Sequence, residues 1–462
     1  MVVRWGWRHG LAWLCVAAVV TFVQQHAPMQ PEPGLLGSRP GNITVSLDCG
    51  NLSAPARLPC VALVPGLDVH ATWNHLRAWP LDFRGVTASS HSELLYRRSP
   101  DAAPCNLPGQ DLVRCTQAPA SPECQHSLKQ HCPQQPHKDT AYLYFSTPLS
   151  DAALRDEHQL GLPPRWHHLL QHLPPVLNQT VPDLRAQDKS DLRRRIPRAQ
   201  PLEARNLWIG SAQVAAKLHY DTSHNLYLQL AGCKSFWLWP PTTIGTVWPV
   251  YPALHEHNRQ VAVPWTPPSG AETLHADSAA TASTPLHVTL EPGQALLLPA
   301  YWLHYVRAET ASVSVNSWVE APSVVLLNEL LANLLPFASR HWPRDQMAIA
   351  IQRYVPAVVS ALLPTVEAQR AWSQAHLVQA PSLDAGQSAT CSSSRARGLD
   401  TLIEPYVRDV VATFQAMPAE EQPILLSVWT QALASLVAPM NEQVSFLTQC
   451  CGLAAEEFAP AP

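Results

Sequence analysis

The sequence predicts a mainly β core followed by a helical C-terminal region. Short β-branched and aromatic runs alternate with turn residues from Asn206 to Trp239, and a second such series runs from His287 to Val319. From Pro322 onward the apolar residues recur at the helical period, as in VVLLNELLANLLPF, residues Val324 to Phe337. At 462 residues the chain can bury a large core, as two or three domains or as one elaborated β domain with helical flanks. Its 46% hydrophobic content is that of a globular protein. A net charge of −4 gives no reason to expect nucleic acid, which selects for a strongly basic face. Proline, at 45 residues, points to long ordered loops.

Residues 1–27 read as a signal peptide or signal anchor. Arg4 and Arg8 precede an apolar run from Leu11 to Val23. That run suits the apolar region of a secretory signal and falls short of the roughly 20 residues of a membrane span. Gln25 stands before Ala27 where cleavage wants a small residue, so cleavage and anchoring both stay open. An anchor would leave Arg4 and Arg8 cytosolic and the rest in the lumen. Residues 28–140 form a Cys-rich, Pro-rich region that opens with a stalk over 28–45. Cys49, Cys60, Cys105, Cys115, Cys124 and Cys132 crowd it. This density suggests disulfides and an oxidising compartment, with pairing unreadable; without a repeated C-x2-C, a zinc module is the weaker reading. Asn42-Ile-Thr, Asn51-Leu-Ser and Asn178-Gln-Thr are glycosylation acceptors. Together these signs point to the endoplasmic reticulum or Golgi lumen. Cys115–His137 reads as a loop clamped by disulfides.

Residues 141–321 carry the strands. Ala141–Ser146 is the first, followed by helical spacing over 150–172 and a charged stretch with Arg193, Arg194 and Arg195 in a row. That run reads as a solvated helix face, with a grip on an acidic substrate as the minority reading. Asn206–Gly210 and Val214–His219 are strands. Leu226–Leu230 and Ser235–Trp239 read as a hairpin around Ala231-Gly232-Cys233, ended by Pro240-Pro241, since proline cannot donate to a ladder. After a polar loop at Pro267–Thr284 come a strand at His287–Leu290, a turn at Glu291-Pro292-Gly293-Gln294 and a buried strand at Ala295–Leu298. His304 follows the Pro299–Trp302 loop, and Ala311–Val319 closes the series. Residues 322–462 are helical, interrupted by a Ser-rich stretch at Gly386–Arg397. Their apolar faces are expected to pack on their own domain, with a homodimer through these helices as the second reading.

The chemistry concentrates at Lys217–Pro241 and Glu291–Glu320. His219 and Asp221, two apart in a strand, face the same way. A histidine from a distant strand, His304, would complete a 2-His-1-carboxylate face that leaves open positions on a metal, the pattern of non-heme Fe(II) oxygenases. A lone His-x-Asp is weak; its β-rich context strengthens it. Strand parity puts Lys234, Phe236 and Leu238 on one face, and Asn225, Tyr227 and Gln229 on one face.

The ordered set of His219-Tyr220-Asp221, Asn225, Gly232-x-Lys234, Trp239-Pro240-Pro241, Tyr251-Pro252, Pro299, Tyr301-Trp302, His304 and Val315-Asn316-x-Trp318 resembles the JmjC/cupin-like 2-oxoglutarate oxygenases. The likeness is to the small-hydroxylase branch that includes the asparaginyl hydroxylase factor inhibiting HIF. It implies a double-stranded β-helix, a jelly-roll or cupin-like barrel with helices outside. By resemblance, His219, Asp221 and His304 bind Fe(II), and Lys234 meets the far carboxylate of the cosubstrate 2-oxoglutarate. Asn225 and Asn316 line the site, and Tyr144 bonds the same carboxylate. The implied reaction is hydroxylation of a protein or peptide side chain. An N-methyl-lysine demethylase and a catalytically silent cupin-like binding or scaffold protein are the alternatives. Tyr301 and Trp302 read as packing residues, His224, His255, His257, His275 and His287 as ordinary polar residues, and Arg259-Gln260 as structural. Two positions depart from the pattern. Ala216 stands where the relative has a cosubstrate-binding threonine, and Gln294 where the turn commonly has aspartate. The cysteine-rich N-terminal half does not match the relative closely.

Overall fold

The computed structural model describes residues 59–64, 69–78, 83–89, 92–94, 104–132, 142–148, 203–267, 284–339, 341–378, 391 and 398–453. The expected signal or anchor, the three glycosylation acceptors, the helical spacing at 150–172 and the arginine run lie outside these residues.

Among the described residues thirteen strands form two sheets. They are β1 (Cys60–Leu63), β2 (Phe83–Ser89), β3 (Glu93–Leu94), β4 (Pro104–Leu107), β5 (Tyr142–Pro148), β6 (Glu203–Gly210), β7 (Ala215–Tyr220), β8 (Ser223–Ala231), β9 (Lys234–Trp239), β10 (Leu286–Leu290), β11 (Gln294–Leu298), β12 (Leu303–Ala308) and β13 (Ser312–Glu320). The larger sheet has the order β1-β11-β8-β13-β6-β5-β2-β4 and the smaller β10-β9-β12-β7-β3. Pairing is antiparallel except between β3 and β7. The links β7–β8, β8–β9, β10–β11, β11–β12 and β12–β13 all cross from one sheet to the other. That winding makes a jelly-roll barrel, the expected fold.

Two local expectations are corrected. The segment Leu226–Trp239 is not a hairpin. β8 pairs with β11 and β13, whereas β9 pairs with β10 and β12, so the chain turns a corner between sheets at Gly232. Alternation and a glycine signal a turn without saying which partner each strand will find. Cys115–His137 is not simply a loop. Helices α1 (Val69–Arg77), α2 (Gly109–Gln117) and α3 (Pro122–His131) occupy the N-terminal region. Ser121 caps α3 by accepting from the Cys124 amide, and Pro122 sits at its first turn, where a missing N–H costs nothing. Disulfides tie these elements together: Cys115–Cys124 staples α2 to α3, and Cys105–Cys132 ties β4 to the C-terminal end of α3, worth roughly 2–4 kcal/mol each.

The boundary expected at residue 141 also moves. β1, β2 and β4, all from the cysteine-rich region, are strands of the larger sheet. Helices α1 to α3 cover that sheet's outer face, burying Leu226, Leu228, Leu230, Val313 and Val315 with Leu112, Leu128 and the disulfides. The C-terminal helices α4 (Pro322–Ala332), α5 (Arg344–Leu362), α6 (Val366–Ser373), α7 (Leu399–Gln415) and α8 (Gln422–Ala434) share a core with the outer face of the smaller sheet. Trp237, Trp239 and Tyr305 point into that core, where the rings of Trp239 and Trp265 meet edge to face at 4.9 Å. A further disulfide, Cys391–Cys450, was not foreseen from the sequence. Among the described residues no single helix is long and apolar enough to cross a membrane.

The corner at Gly232 is tightly specified. Its φ is +68°, and a Cβ there would lie 2.1 Å from the Ala311 carbonyl oxygen. Gln229 Nε2 donates to the carbonyls of Ala231 and Gly232, and the Cys233 amide donates to Thr310 Oγ1. Gly232→Ala is therefore expected to lower stability by at least about 2 kcal/mol, read as an earlier midpoint in urea unfolding.

Candidate metal centre

The site lies inside the barrel, where the two sheets face each other. β7 and β12 pair so that His304 stands directly opposite His219. Asp221 follows β7 at the turn into β8. One ligand atom from each of His219, Asp221 and His304 falls within 4.8 Å of the others, and all three side chains are largely buried. Among the described residues this is the one group of three or more such side chains close enough to hold a metal ion.

The histidine tautomers follow from their neighbours. His219 Nδ1 lies 2.6 Å from the Lys217 carbonyl oxygen, and His304 Nδ1 lies 2.9 Å from that of Trp302. A carbonyl only accepts, so each Nδ1 carries a proton, and Nε2 is the nitrogen each ring can offer to a metal. His304 Nε2 is 3.8 Å from Asp221 Oδ2. Burial, reinforced by the facing His304, pushes His219 down to about 3, so it stays neutral. Burial works against a charge on Asp221, but His219, His304, Arg259 and the Trp318 hydrogen bond outweigh it and hold the carboxyl below its usual value. Two imidazole nitrogens and an ionised carboxylate suit a divalent first-row metal and leave coordination positions open.

Two residues hold the carboxylate. Trp318 Nε1 donates to Asp221 Oδ2 at 3.2 Å, and Arg259 Nη1 approaches Asp221 Oδ1 at 3.5 Å. Arg259 does so from a left-handed backbone, φ 68°, on the loop that also pairs Gln260 with His219. The sequence reading of Arg259-Gln260 as merely structural is thus too narrow for Arg259. Tyr301, φ 64°, donates its amide to the Asp221 carbonyl oxygen and is fully buried, in line with its reading as a packing residue. Positive φ at bulky residues concentrates where a site fixes the chain.

The remaining candidates line one cavity with the triad: Asn225, Tyr227, Lys234, Tyr144, Asn316 and Trp318, together with Trp208, Gly210 and Ala216. Asn316 Nδ2 donates to Asn225 Oδ1, and Asn316 Oδ1 accepts from Trp208 Nε1, so the Asn316 amide is paired at both ends and the Asn225 amide through its oxygen. Gln229 is not part of the lining; it caps the corner at Gly232. His224 is not an ordinary surface residue. It is buried, with Nδ1 accepting the Ala300 amide in the loop that delivers His304. His287 stacks on Trp237 outside the cavity. Gln294 accepts from the Glu291 amide with its side chain, serving the turn at that departure from the usual aspartate.

Lys234 is the second chemical centre. It is 6% exposed, and among the described residues no carboxylate lies within ion-pair reach. Its Nζ donates to Tyr227 Oη at 2.6 Å and to Ser314 Oγ at 3.0 Å. Burial alone pulls the ammonium down to about 7. Along β12 the His304 pair on β9 is Leu238 and the Ala308 pair is Lys234. Triad and lysine are thus four residues apart, roughly 13 Å of strand. Both ends face the same cavity.

The fold is a cupin-like barrel whose His-Asp-His set could hold a metal ion on one face. Residues 170–323 match the model of the cupin-like domain family. The chain is 29% identical over 166 residues to the human bifunctional peptidase and (3S)-lysyl hydroxylase JMJD7, covering 32% of this chain and 51% of that protein. It is 31% identical over 120 residues to the Arabidopsis thaliana lysine-specific demethylase JMJ31, covering 26% and 21%. It is 29% identical over 164 residues to the Drosophila melanogaster Jumonji C domain-containing protein 5, covering 33% and 35%. The chain therefore spans about a fifth to a half of the length of these relatives. Residues 170–323 carry a cupin-like domain, and over that region the chain is similar to JmjC proteins.

A divalent metal should bind with one-to-one stoichiometry. Trp318→Phe, which removes the indole N–H from Asp221 while keeping an aromatic ring, is expected to weaken Mn(II) binding about tenfold in a calorimetric titration. Asp221→Ala should abolish it.

Proposed function

We propose that this protein is an Fe(II)- and 2-oxoglutarate-dependent oxygenase that hydroxylates a protein side chain within the secretory lumen. The observation that carries the reading is a buried ammonium, Lys234, in the same cavity as a buried His-Asp-His set. The triad offers two neutral nitrogens and one carboxylate, as Fe(II) with open positions requires. The lysine offers a point charge to a carboxylate at the far end of a short chain-like acid. When bound, iron would supply the oxygen activation that couples decarboxylation of 2-oxoglutarate to oxidation of a C–H bond. The residues supply the rest. Trp318 and Arg259 orient Asp221, the Lys217 and Trp302 carbonyls fix the imidazole tautomers, and the barrel excludes water.

Hydroxylation of a protein is supported by the (3S)-lysyl hydroxylase activity in the name of the human relative. The name of the Arabidopsis relative describes a demethylase, so the two outcomes are tested side by side. Luminal residence is supported by disulfides in both the N-terminal and C-terminal regions, together with the basic and apolar N-terminal run and the three acceptors. Protease protection in microsomes and a glycosidase-sensitive mass shift test that location; a cytosolic, unglycosylated chain would remove it.

Iron-dependent release of succinate from 2-oxoglutarate should occur with wild type and be lost in Asp221→Ala. A product heavier by one oxygen indicates hydroxylation, and release of formaldehyde indicates demethylation. No turnover with a broad peptide library would favour a silent scaffold. Binding should also depend on pH. Below about pH 7 Lys234 is charged and pairs with the dicarboxylate directly; above it, binding must first draw a proton from solvent. Affinity for 2-oxoglutarate is expected to be level below pH 7 and to fall by up to about tenfold per pH unit above it, as followed by titration calorimetry.

A further inference from the structure

Helix α8 lies beyond residues 170–323, yet one of its side chains bonds a loop that leads to the metal centre. Gln431 is 3% exposed, and its Oε1 accepts the Ala253 amide at 2.7 Å. The neighbouring buried hydroxyls on α8 behave differently. Ser427 Oγ and Thr430 Oγ1 donate to carbonyls of their own helix, those of Ile424 and Ser427. Gln431 alone of the three reaches out of the helix.

Ala253 belongs to the loop between Val250 and Val261, which carries Arg259. The loop is closed at its base. Val250 pairs with Val261, the Tyr251 amide donates to the Gln260 carbonyl, and the Val261 amide donates to the Leu218 carbonyl on β7. Inside it, the amides of His255, Asn258 and Gln260 donate to the carbonyls of Pro252, His255 and His257. Asn258 Nδ2 closes the tip by donating to the Ala253 carbonyl at 2.9 Å. Among the described residues, the Gln431 bond is the one hydrogen bond that ties residues 253–258 to another element. Arg259 follows directly, in a left-handed backbone that an arginine keeps only where its surroundings hold it. Its guanidinium approaches Asp221 Oδ1 at 3.5 Å.

Resting on the metal centre described above, we propose that Gln431 is a positioning residue. It anchors the loop tip to the C-terminal helices and so sets Arg259 against the Asp221 carboxylate. The path is continuous: Gln431 to the Ala253 amide, the Ala253 carbonyl to Asn258, along the chain to Arg259, and across to Asp221. It makes the helical region part of the support of the metal centre. The competing account is that the bond only packs α8 against the barrel. A packing bond contributes stability and leaves metal affinity alone. A positioning bond alters metal affinity, and does so only while Arg259 is present to be positioned.

The experiment titrates the full chain with Mn(II) by calorimetry. Gln431→Met, which keeps the size and removes the acceptor, is expected to raise the Kd about fivefold. Gln431→Asn, which keeps an amide but shortens its reach, should do the same. Gln431→Glu, with an acceptor oxygen at the original reach, should restore wild-type binding. Thr430→Val is the control, since Thr430 is fully buried on the same helix and bonds only within it. It should shift the urea midpoint and leave Mn(II) affinity unchanged. In an Arg259→Met background, Gln431→Met should weaken binding no further. Unchanged affinity in both Gln431→Met and Gln431→Asn, an equal loss in Thr430→Val, or a loss that persists without Arg259 would each overturn the inference and leave the metal site standing. A wild-type chain that binds no Mn(II) would instead remove the metal centre and this inference together.

Discussion

The site depends on one antiparallel register. β7 and β12 pair with His304 facing His219, and every other element either holds that pairing or builds on it. A slip of one residue would turn the His304 side chain from the barrel interior to its outer face. The register is held from both sides. Outside the barrel, Trp237, Trp239 and Tyr305 lock the smaller sheet against the C-terminal helices. Inside, Leu238, Leu296, Leu298 and Trp302 pack into one apolar cluster. The pairing shifts register between His304 and Val306, where β7 carries an extra residue, so Ala216 comes to stand opposite Val306. That irregularity lets His219 and Ala216, three apart in sequence, both line the cavity.

The cavity is electrically asymmetric along its length. Asp221 stays ionised at one end because histidines, Arg259 and the Trp318 indole surround it. Lys234 sits at the other end with hydroxyl neighbours and, among the described residues, no counter-charge in reach. A metal held there would add positive charge near the carboxylate, and an anion would be needed to balance the whole. The protein thus carries a cation whose burial is unfavourable until a ligand arrives, an arrangement expected of a binding site and costly as a structural device.

Much of this could be read from the sequence. His219, Asp221 and His304 were named from a His-x-Asp spacing and a distant echo, although Asp221 lies just past β7 and not within the strand, and Lys234 was named by resemblance. The strands were largely placed within a few residues, because alternation and Pro-Gly punctuation are local signals. What failed was pairing. Nothing in Leu226–Trp239 reveals that β8 and β9 belong to different sheets, since that depends on partners at residues 286–316. The cysteine-rich region looked separate because its strands are short and its helices polar, with a cap at Ser121 as the local clue. Tyr227 was visible as a face-mate of Asn225, but its bond to Lys234 is a contact across sheets. Trp318 stood within a recognised motif without a role, and Arg259 was read as structural; both reach Asp221 only in three dimensions.

The placement of β1 carries a consequence for how the molecule is made. Cys60 on β1 pairs with Leu297 on β11, so an early strand finds its neighbour only after more than two hundred further residues have been synthesised. Cys115 and Cys124, nine apart, can meet almost as soon as they leave the ribosome. The covalent staples of the N-terminal helices can therefore close before the barrel they will cover exists. The nascent chain must carry open strand edges and a growing set of buried-to-be leucines through that interval. Crosslinks of short span can thus be in place before the sheet that they help to cover.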